Sequence, residues 1–384
     1  MLAQLLGFCA AIRAEVPPPL AVVEPVKVGL DTANLGEIET AVAVAIEERK
    51  CPGCVVAIGR GSQLGYLRAF GNRSVEPSPT PMTTDTVFDL ASLTKPIATA
   101  TSVMKLIEAG KLKLSDPVSS HLPEFKTEGK DAITVEHLLI HQGGLIADNS
   151  IADYQLGPEV AWQRLAGLKL TAPVGTKFIY SDVGFMVLGE LVRRLAGKPV
   201  DEFSKQEIFT SLGMQETGYR PNADLRLRAA PTEQRNNEWI QGEVHDPRAN
   251  LLGGVAGHAG LFSTAADVAR YAAMMANSGE YAGVRVLKEE TWRDMTTARS
   301  VSSGKRGLGW DMKTGYSTNR GTSMSERAFG HGGFTGTALW IDPETRLFVI
   351  FLSNRVHPNG KGAVNPLAGH IGTIAADSII ASQN

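Results

Sequence analysis

Cysteine is scarce. Cys9, Cys51 and Cys54 are the three in 384 residues, too few for a disulfide framework. Cys51-Pro52-Gly53-Cys54 has CxxC spacing, but a redox CxxC opens a helix. Here the pair runs into Val55-Val56-Ala57-Ile58, a strand pattern, and no second ligand pair stands at a zinc-site spacing. The segment reads as a turn. Charge of one sign is also lacking: 38 Lys and Arg face 40 Asp and Glu, a net charge of −2. Without a basic stripe, nucleic acid is excluded as the main partner. No apolar run reaches the roughly 18–20 residues that span a bilayer. No Gly-x-Ser-x-Gly elbow occurs, which argues against the α/β-hydrolase design. Phosphate-cradling and dinucleotide fingerprints are absent as well. No metal or other cofactor is expected.

What is present is an ordinary globular composition, 43% hydrophobic and 20% charged, with chain enough for one large domain or two intimate lobes. The apolar run Met1–Ile12 has the length of a signal-peptide core, yet no Lys or Arg precedes it. An export signal and an amphipathic N-terminal helix both remain open. Cys9 follows bulky Phe8, unlike a lipoprotein cysteine. Residues 1–28 form an N-terminal extension with Pro17-Pro18-Pro19 and Pro25.

Asn34 is placed to cap a helix from Leu35 to about Arg49. Strands are predicted at 54–59 and 65–71, then a helix from Ser92 to about Ala109. Further helices are predicted at 134–141, 157–166, 182–196, 200–211, 265–277 and 288–296. From about Gly307 the pattern turns to strands, including a hairpin of 337–341 and 346–353 around Asp342-Pro343-Glu344-Thr345. A last helix is predicted over 369–382. Strands at both ends with helices between predict an α/β (α+β) fold, one antiparallel sheet flanked by helices with an inserted all-α lobe. The α/β lobe is expected from about 29–90 and 305–384, and the helical lobe from about 91–304.

The chemistry centres on Ser92-Leu93-Thr94-Lys95. A serine hydroxyl needs a base within hydrogen-bond reach, and residues three apart share a helix face. Pro96 belongs in the first turn of a helix, so Ser92 lies at a helix start, where free N–H groups favour a developing oxyanion. The pattern alone is weak: about one Ser-x-x-Lys is expected by chance in such a chain. Ser102-Val103-Met104-Lys105 falls inside the same helix, and Ser302-Ser303-Gly304-Lys305 in a Ser/Gly loop; both are taken as coincidental. Tyr180-Ser181-Asp182, between strand-like Phe178-Ile179 and a helix, adds a phenol that can relay protons. His331-Gly332-Gly333, followed by Phe334, adds glycines that admit a substrate close to the backbone. The N–H groups of Ser92 and Phe334 then make an oxyanion pair.

These motifs, in this order, resemble the class C β-lactamase-like superfamily of serine β-lactamases, penicillin-binding-protein-type DD-peptidases and family VIII carboxylesterases. The stretch His245-Asp246-Pro247-Arg248-Ala249 with Gly253-Gly254-Val255 resembles a penicillin-binding-protein-like branch linked to cell-wall metabolism. The resemblance implies Ser92 as nucleophile, Lys95 as its proton acceptor, and Tyr180 as shared base and acid to the leaving group. It implies a small-molecule ester, amide or β-lactam substrate and a cell-envelope setting. Two departures stand out. Asp182 replaces a frequent Asn, which favours the charged form of Lys95 and shifts base duty towards Tyr180. His331 replaces the Lys of the lactamases, removing a fixed cation that would hold a substrate carboxylate. Efficient β-lactam hydrolysis is therefore not expected. Asp182, His331, Gly332 and Gly333 are assigned to binding and orientation. His245, Asp246 and His258 are read as loop-fixing hydrogen bonders rather than metal ligands, and Trp239 as a cleft-wall residue.

Overall fold

The computed structural model describes residues 16–127 and 129–380; the Met1–Ile12 run and Cys9 lie outside them. The frame is a nine-stranded sheet. Its strands are β1 (Gly53–Arg60), β2 (Gln63–Ser74), β3 (Thr80–Pro81), β4 (Arg299–Val301), β5 (Gly304–Arg306), β6 (Asp311–Lys313), β7 (Phe329–Gly333), β8 (Thr337–Asp342) and β9 (Leu347–Ser353). They lie in the order β4-β5-β6-β7-β8-β9-β1-β2-β3, with every neighbouring pair antiparallel. The two ends of the chain meet where β1 pairs β9, from Cys54 opposite Ser353 to Arg60 opposite Leu347. The expected antiparallel sheet is present.

Successive strand residues face opposite sides of a sheet. On β9, Phe348, Ile350 and Leu352 face one core while Leu347, Val349 and Phe351 face another. Both faces are covered, so the strand reads as an unbroken apolar run rather than an alternating one. Each such side chain contributes about 1.5–3 kcal/mol by leaving water. Helices α1 (Thr32–Glu47) and α5 (Asn365–Asp377) cover one face. The other face is covered by α4 (Ala265–Ala276) and the helical middle of the chain, including α2 (Thr101–Glu108) and α3 (Asp182–Ala196).

Several local expectations are corrected. Asp31, not Asn34, caps α1: its carboxylate accepts the Asn34 N–H at 2.9 Å. The helix expected from Ser92 is three pieces, a 3₁₀ turn over Ala91–Leu93, a π-helical Lys95–Ala100, then α2. Phe178-Ile179 is irregular chain rather than strand, and the last helix begins four residues early, at Asn365. The nine-stranded sheet resumes at Arg299, so Ser302 sits in the turn of the β4–β5 hairpin. No helix of the described residues is long and apolar enough to cross a membrane.

Candidate active site

A three-stranded sheet aligns Phe88–Asp89 with Leu261–Ser263 and Gly218–Tyr219. It fixes the segment entering Ser92 against the glycine-rich loop carrying His258. Three bonds tighten that join. Leu90 N–H donates to the Leu261 carbonyl at 2.9 Å, Leu261 N–H to Thr94 Oγ1 at 3.1 Å, and Thr99 Oγ1 to the Gly257 carbonyl at 2.6 Å. Ala91, with φ 47°, makes the sharp turn before Ser92, its N–H held by Asp89 Oδ1 at 2.9 Å. That conformation costs an L-residue roughly 1–2 kcal/mol.

Ser92 is half-buried and opens into a cleft of ≈ 710 Å³. Lys95 is fully buried, and its ammonium has three partners: Ser92 Oγ at 3.1 Å, the His258 carbonyl at 3.1 Å and Asp182 Oδ1 at 2.6 Å. Burial opposes the charge, but Asp182 and Tyr180 outweigh it and hold Lys95 above its ordinary range. Such a buried ammonium stays where it is because its counter-charge and acceptors are all supplied. The Ser102 copy differs: Ser102 is buried in α2, its hydroxyl without a partner among the described residues.

Tyr180 stands over Lys95, its ring centroid 5.0 Å from Nζ, and its hydroxyl interacts with both Ser92 and Lys95. Burial pushes the phenol above its usual range, with Lys95 pulling the other way. Its ring lies between Tyr316 at 4.9 Å and His141 at 4.6 Å. His141 accepts the Ser181 N–H on Nδ1 at 3.0 Å, so Nε2 carries its proton. Burial, with Arg306 and Lys95 nearby, keeps it neutral. Ser181 caps α3 by accepting the Gly184 N–H at 3.1 Å, which puts Asp182 in the first turn, where the helix dipole favours a carboxylate.

The third motif forms the end of β7. Thr335 Oγ1 donates to the Asp89 carbonyl at 2.7 Å and Thr337 Oγ1 to the Leu90 carbonyl at 3.0 Å. The β7–β8 turn is thereby strapped to the residues just ahead of Ser92. Gly333 must be glycine, since a Cβ there would sit 2.1 Å from Thr337 Oγ1 and 2.5 Å from the Leu90 carbonyl. The N–H groups of Ser92 and Phe334 have no acceptor among the described residues, as a pair of oxyanion donors requires. His331 is buried and donates from Nδ1 to the Gly332 carbonyl at 2.7 Å. Burial, then the charges of Arg306 and Lys95, holds it neutral, so this motif carries no cation.

His258 Nε2 meets Asp246 Oδ1 at 3.0 Å, and Asp246 also caps the helix Pro247–Leu251 by accepting the Ala249 N–H at 2.8 Å. His245 meets Glu233 at 2.5 Å. Donor atoms of Asp182, Asp246 and His258 lie within 4.8 Å of one another, a set that could take a cation. The Lys95 ammonium already supplies positive charge against Asp182. Trp239 is not at the cleft; its ring packs 4.6 Å from His357. Cys51 and Cys54 are free and buried, and burial pushes the Cys51 thiol up to about 11, away from reactive thiolate. Sequence reasoning did not single out Tyr316, Arg306 or Arg355, which also line the cleft. They sit on β5 or in loops after β6 and β9, and only the strand order brings them to Ser92.

Comparisons with known proteins bear on the family and the fold. The beta-lactamase family model matches residues 38–372. An N-acetylmuramyl-L-alanine amidase of Bacillus subtilis (strain 168) is 34% identical over 343 residues, covering 80% of this chain and 78% of the relative. A protein of Escherichia coli (strain K12) with the provisional name D-alanyl-D-alanine carboxypeptidase is 31% identical over 390 residues, covering 92% and 89%. Among solved structures, EstCE1, described as a hydrolase with promiscuous acyltransferase activity, shares the fold with a TM-score of 0.71. That match has 23% identity and covers 91% of this chain and 99% of EstCE1. A family match across most of the sequence, with two relatives above 30% identity, leads to one conclusion: the chain belongs to the beta-lactamase family of hydrolases.

Proposed function

We propose that this hydrolase works by two-step acyl transfer from Ser92, on carboxyl esters or on cell-wall-derived peptides containing D-amino acids. The observation carrying this reading is the contact of Ser92 Oγ with a clamped, buried Lys95 at the floor of an open cleft. Lys95 and Tyr180 act as one coupled base. In the form of the pair that has lost one proton, a Tyr180 phenolate held by the Lys95 ammonium, Ser92 Oγ bonds to the carbonyl carbon, the carbonyl π bond opens to an oxyanion, and the serine proton passes to Tyr180. The oxyanion lies between the N–H groups of Ser92 and Phe334. Collapse breaks the scissile bond, and Tyr180 returns the proton to the leaving group. Water then attacks the acyl-enzyme by the same route in reverse order, releasing the acid and freeing Ser92.

The names of the amidase and carboxypeptidase relatives support cell-wall peptide as the physiological substrate and the cell envelope as the setting. A neutral His331 argues against strong β-lactam hydrolysis. The test is a panel of p-nitrophenyl acetate, nitrocefin, a D-Ala-D-Ala peptide and a muramyl peptide, with intact-mass detection of a Ser92 adduct. Sustained turnover is expected on the ester or a peptide. Ser92→Ala should lower kcat by about 10⁴-fold or more, the scale seen when a catalytic serine is lost. Turnover surviving that change refutes the assignment. A single burst without turnover would instead indicate an acylatable binding protein.

A further inference from the structure

The cleft carries a cation from an element other than the third motif. Arg355 follows β9, lines the same cleft as Ser92, and is partly exposed. Its guanidinium carbon stands 4.5 Å from the centroid of the Phe334 ring, the residue whose N–H faces the oxyanion position. The same ring stacks on His245 at 5.4 Å, and His245 is bonded to Glu233. Phe334 is 59% exposed and forms part of the cleft wall.

Arg355 donates from Nη1 to the Gly362 carbonyl at 2.7 Å. Among the described residues no carboxylate lies within ion-pairing distance of it. Glu233 acts on it only at longer range, its carboxylate being engaged by His245. The position is built: a Cβ on Gly336 would come within 2.9 Å of Arg355 Cγ, so the turn presenting Phe334 rests on the arginine stem. Arg306 cannot play the same part, because it is wholly buried. A planar guanidinium with open donors, stacked beside the reacting centre, is suited to a carboxylate.

We propose that Arg355 is the specificity residue that selects acyl substrates bearing a free carboxylate, such as the C-terminus of a peptide. It takes over the charge that the neutral His331 does not provide. This rests on the acyl-hydrolase reading above. The test follows p-nitrophenyl acetate turnover in the presence of N-acetyl-D-alanyl-D-alanine or its C-terminal amide. In the wild type the acid should inhibit at about tenfold lower concentration than the amide, the size of one charge-assisted hydrogen bond. Added salt should shrink that ratio. Arg355→Met should bring it close to one, and Arg355→Lys should leave part of it. The salt series needs no variant, so it stands even if Arg355→Met folds poorly. No acid preference in the wild type, through equal inhibition or none, overturns the proposal, as does a preference that survives in Arg355→Met. Failure of the wild type to turn over both the acetate ester and the D-alanyl peptide sinks the acyl-transfer reading itself, a different result from turnover without acid preference.

Discussion

Replacing Asp182 with Asn tests what sets the charge on Lys95. The carboxylate lies 2.6 Å from Nζ, with Lys95 wholly buried and Asp182 19% exposed. Asp182 and Tyr180 lift the ammonium above its ordinary range against burial, and burial lifts the Tyr180 phenol. Both groups are therefore protonated at neutral pH, and the coupled pair gains basic character only as a proton leaves. Activity of the wild type should rise from neutral towards alkaline pH. A carboxylate this close shifts a neighbour by about 1–3 pH units, or roughly 1.4–4 kcal/mol. In Asp182→Asn that support is gone while burial remains, so the alkaline limb should move down by about one to three units. The sign for stability is also set. Without Asp182, the folded-state pKa of Lys95 drops below its unfolded value, so proton uptake favours unfolding as pH falls. The deficit in Tm should widen as pH falls from the ordinary lysine range towards neutral and stay level below the lowered folded-state pKa, approaching the about 3–5 kcal/mol of a broken buried pair. The assays are a pH series of kcat/KM on a p-nitrophenyl ester and thermal melts at the same pH values. An unshifted pH profile in a folded variant refutes the reasoning.

Two further substitutions separate the nucleophile from its surroundings. Ser102→Ala removes a buried hydroxyl that has no partner, so melts should show no loss, or a gain of up to about 1 kcal/mol. A large loss of activity there would mean that the wrong Ser-x-x-Lys copy was chosen. Gly257→Ala would place a Cβ 2.0 Å from the Phe185 carbonyl and displace the loop whose next carbonyl holds Lys95. A loss of at least about 2 kcal/mol in denaturant unfolding is expected, in the range of overpacked cores, together with reduced turnover.

Much of the frame was legible because its signals are local. The apolar run of β9 and the turn Asp342-Pro343-Glu344-Thr345 specify a hairpin without outside help. The limits of α3 were readable from the Ser181 cap and the closing Gly197. The start of α1 was misjudged because Asp31 and Asn34 are both good caps, and only the backbone bend at Asp31 decides between them. Pro96 rightly marked a turn start at Ser92, but not the π-helical stretch after it, whose register follows from packing on the Gly257 loop. Ser92, Tyr180, Asp182, His331 and Phe334, all picked out from the motifs, line one cleft, and Lys95 lies buried against Ser92. Arg306, Tyr316 and Arg355 were not picked out, since no periodicity connects them to Ser92. Tyr316 earns its place only by stacking on Tyr180, a contact across more than a hundred residues.

The β1–β9 pairing has a consequence for how the molecule is made. Synthesis delivers β1 and β2 nearly three hundred residues before their partner β9 leaves the ribosome. Until then a fully apolar strand has one edge open, the kind of edge that invites pairing with another chain. The sheet can close only once β9 is available, and the late residues His331, Phe334 and Arg355 arrive with it. Nascent chains that stop short of β9 therefore hold Ser92 and Lys95 without the wall of the cleft that faces them. Maturation of this enzyme is tied to the synthesis of β9.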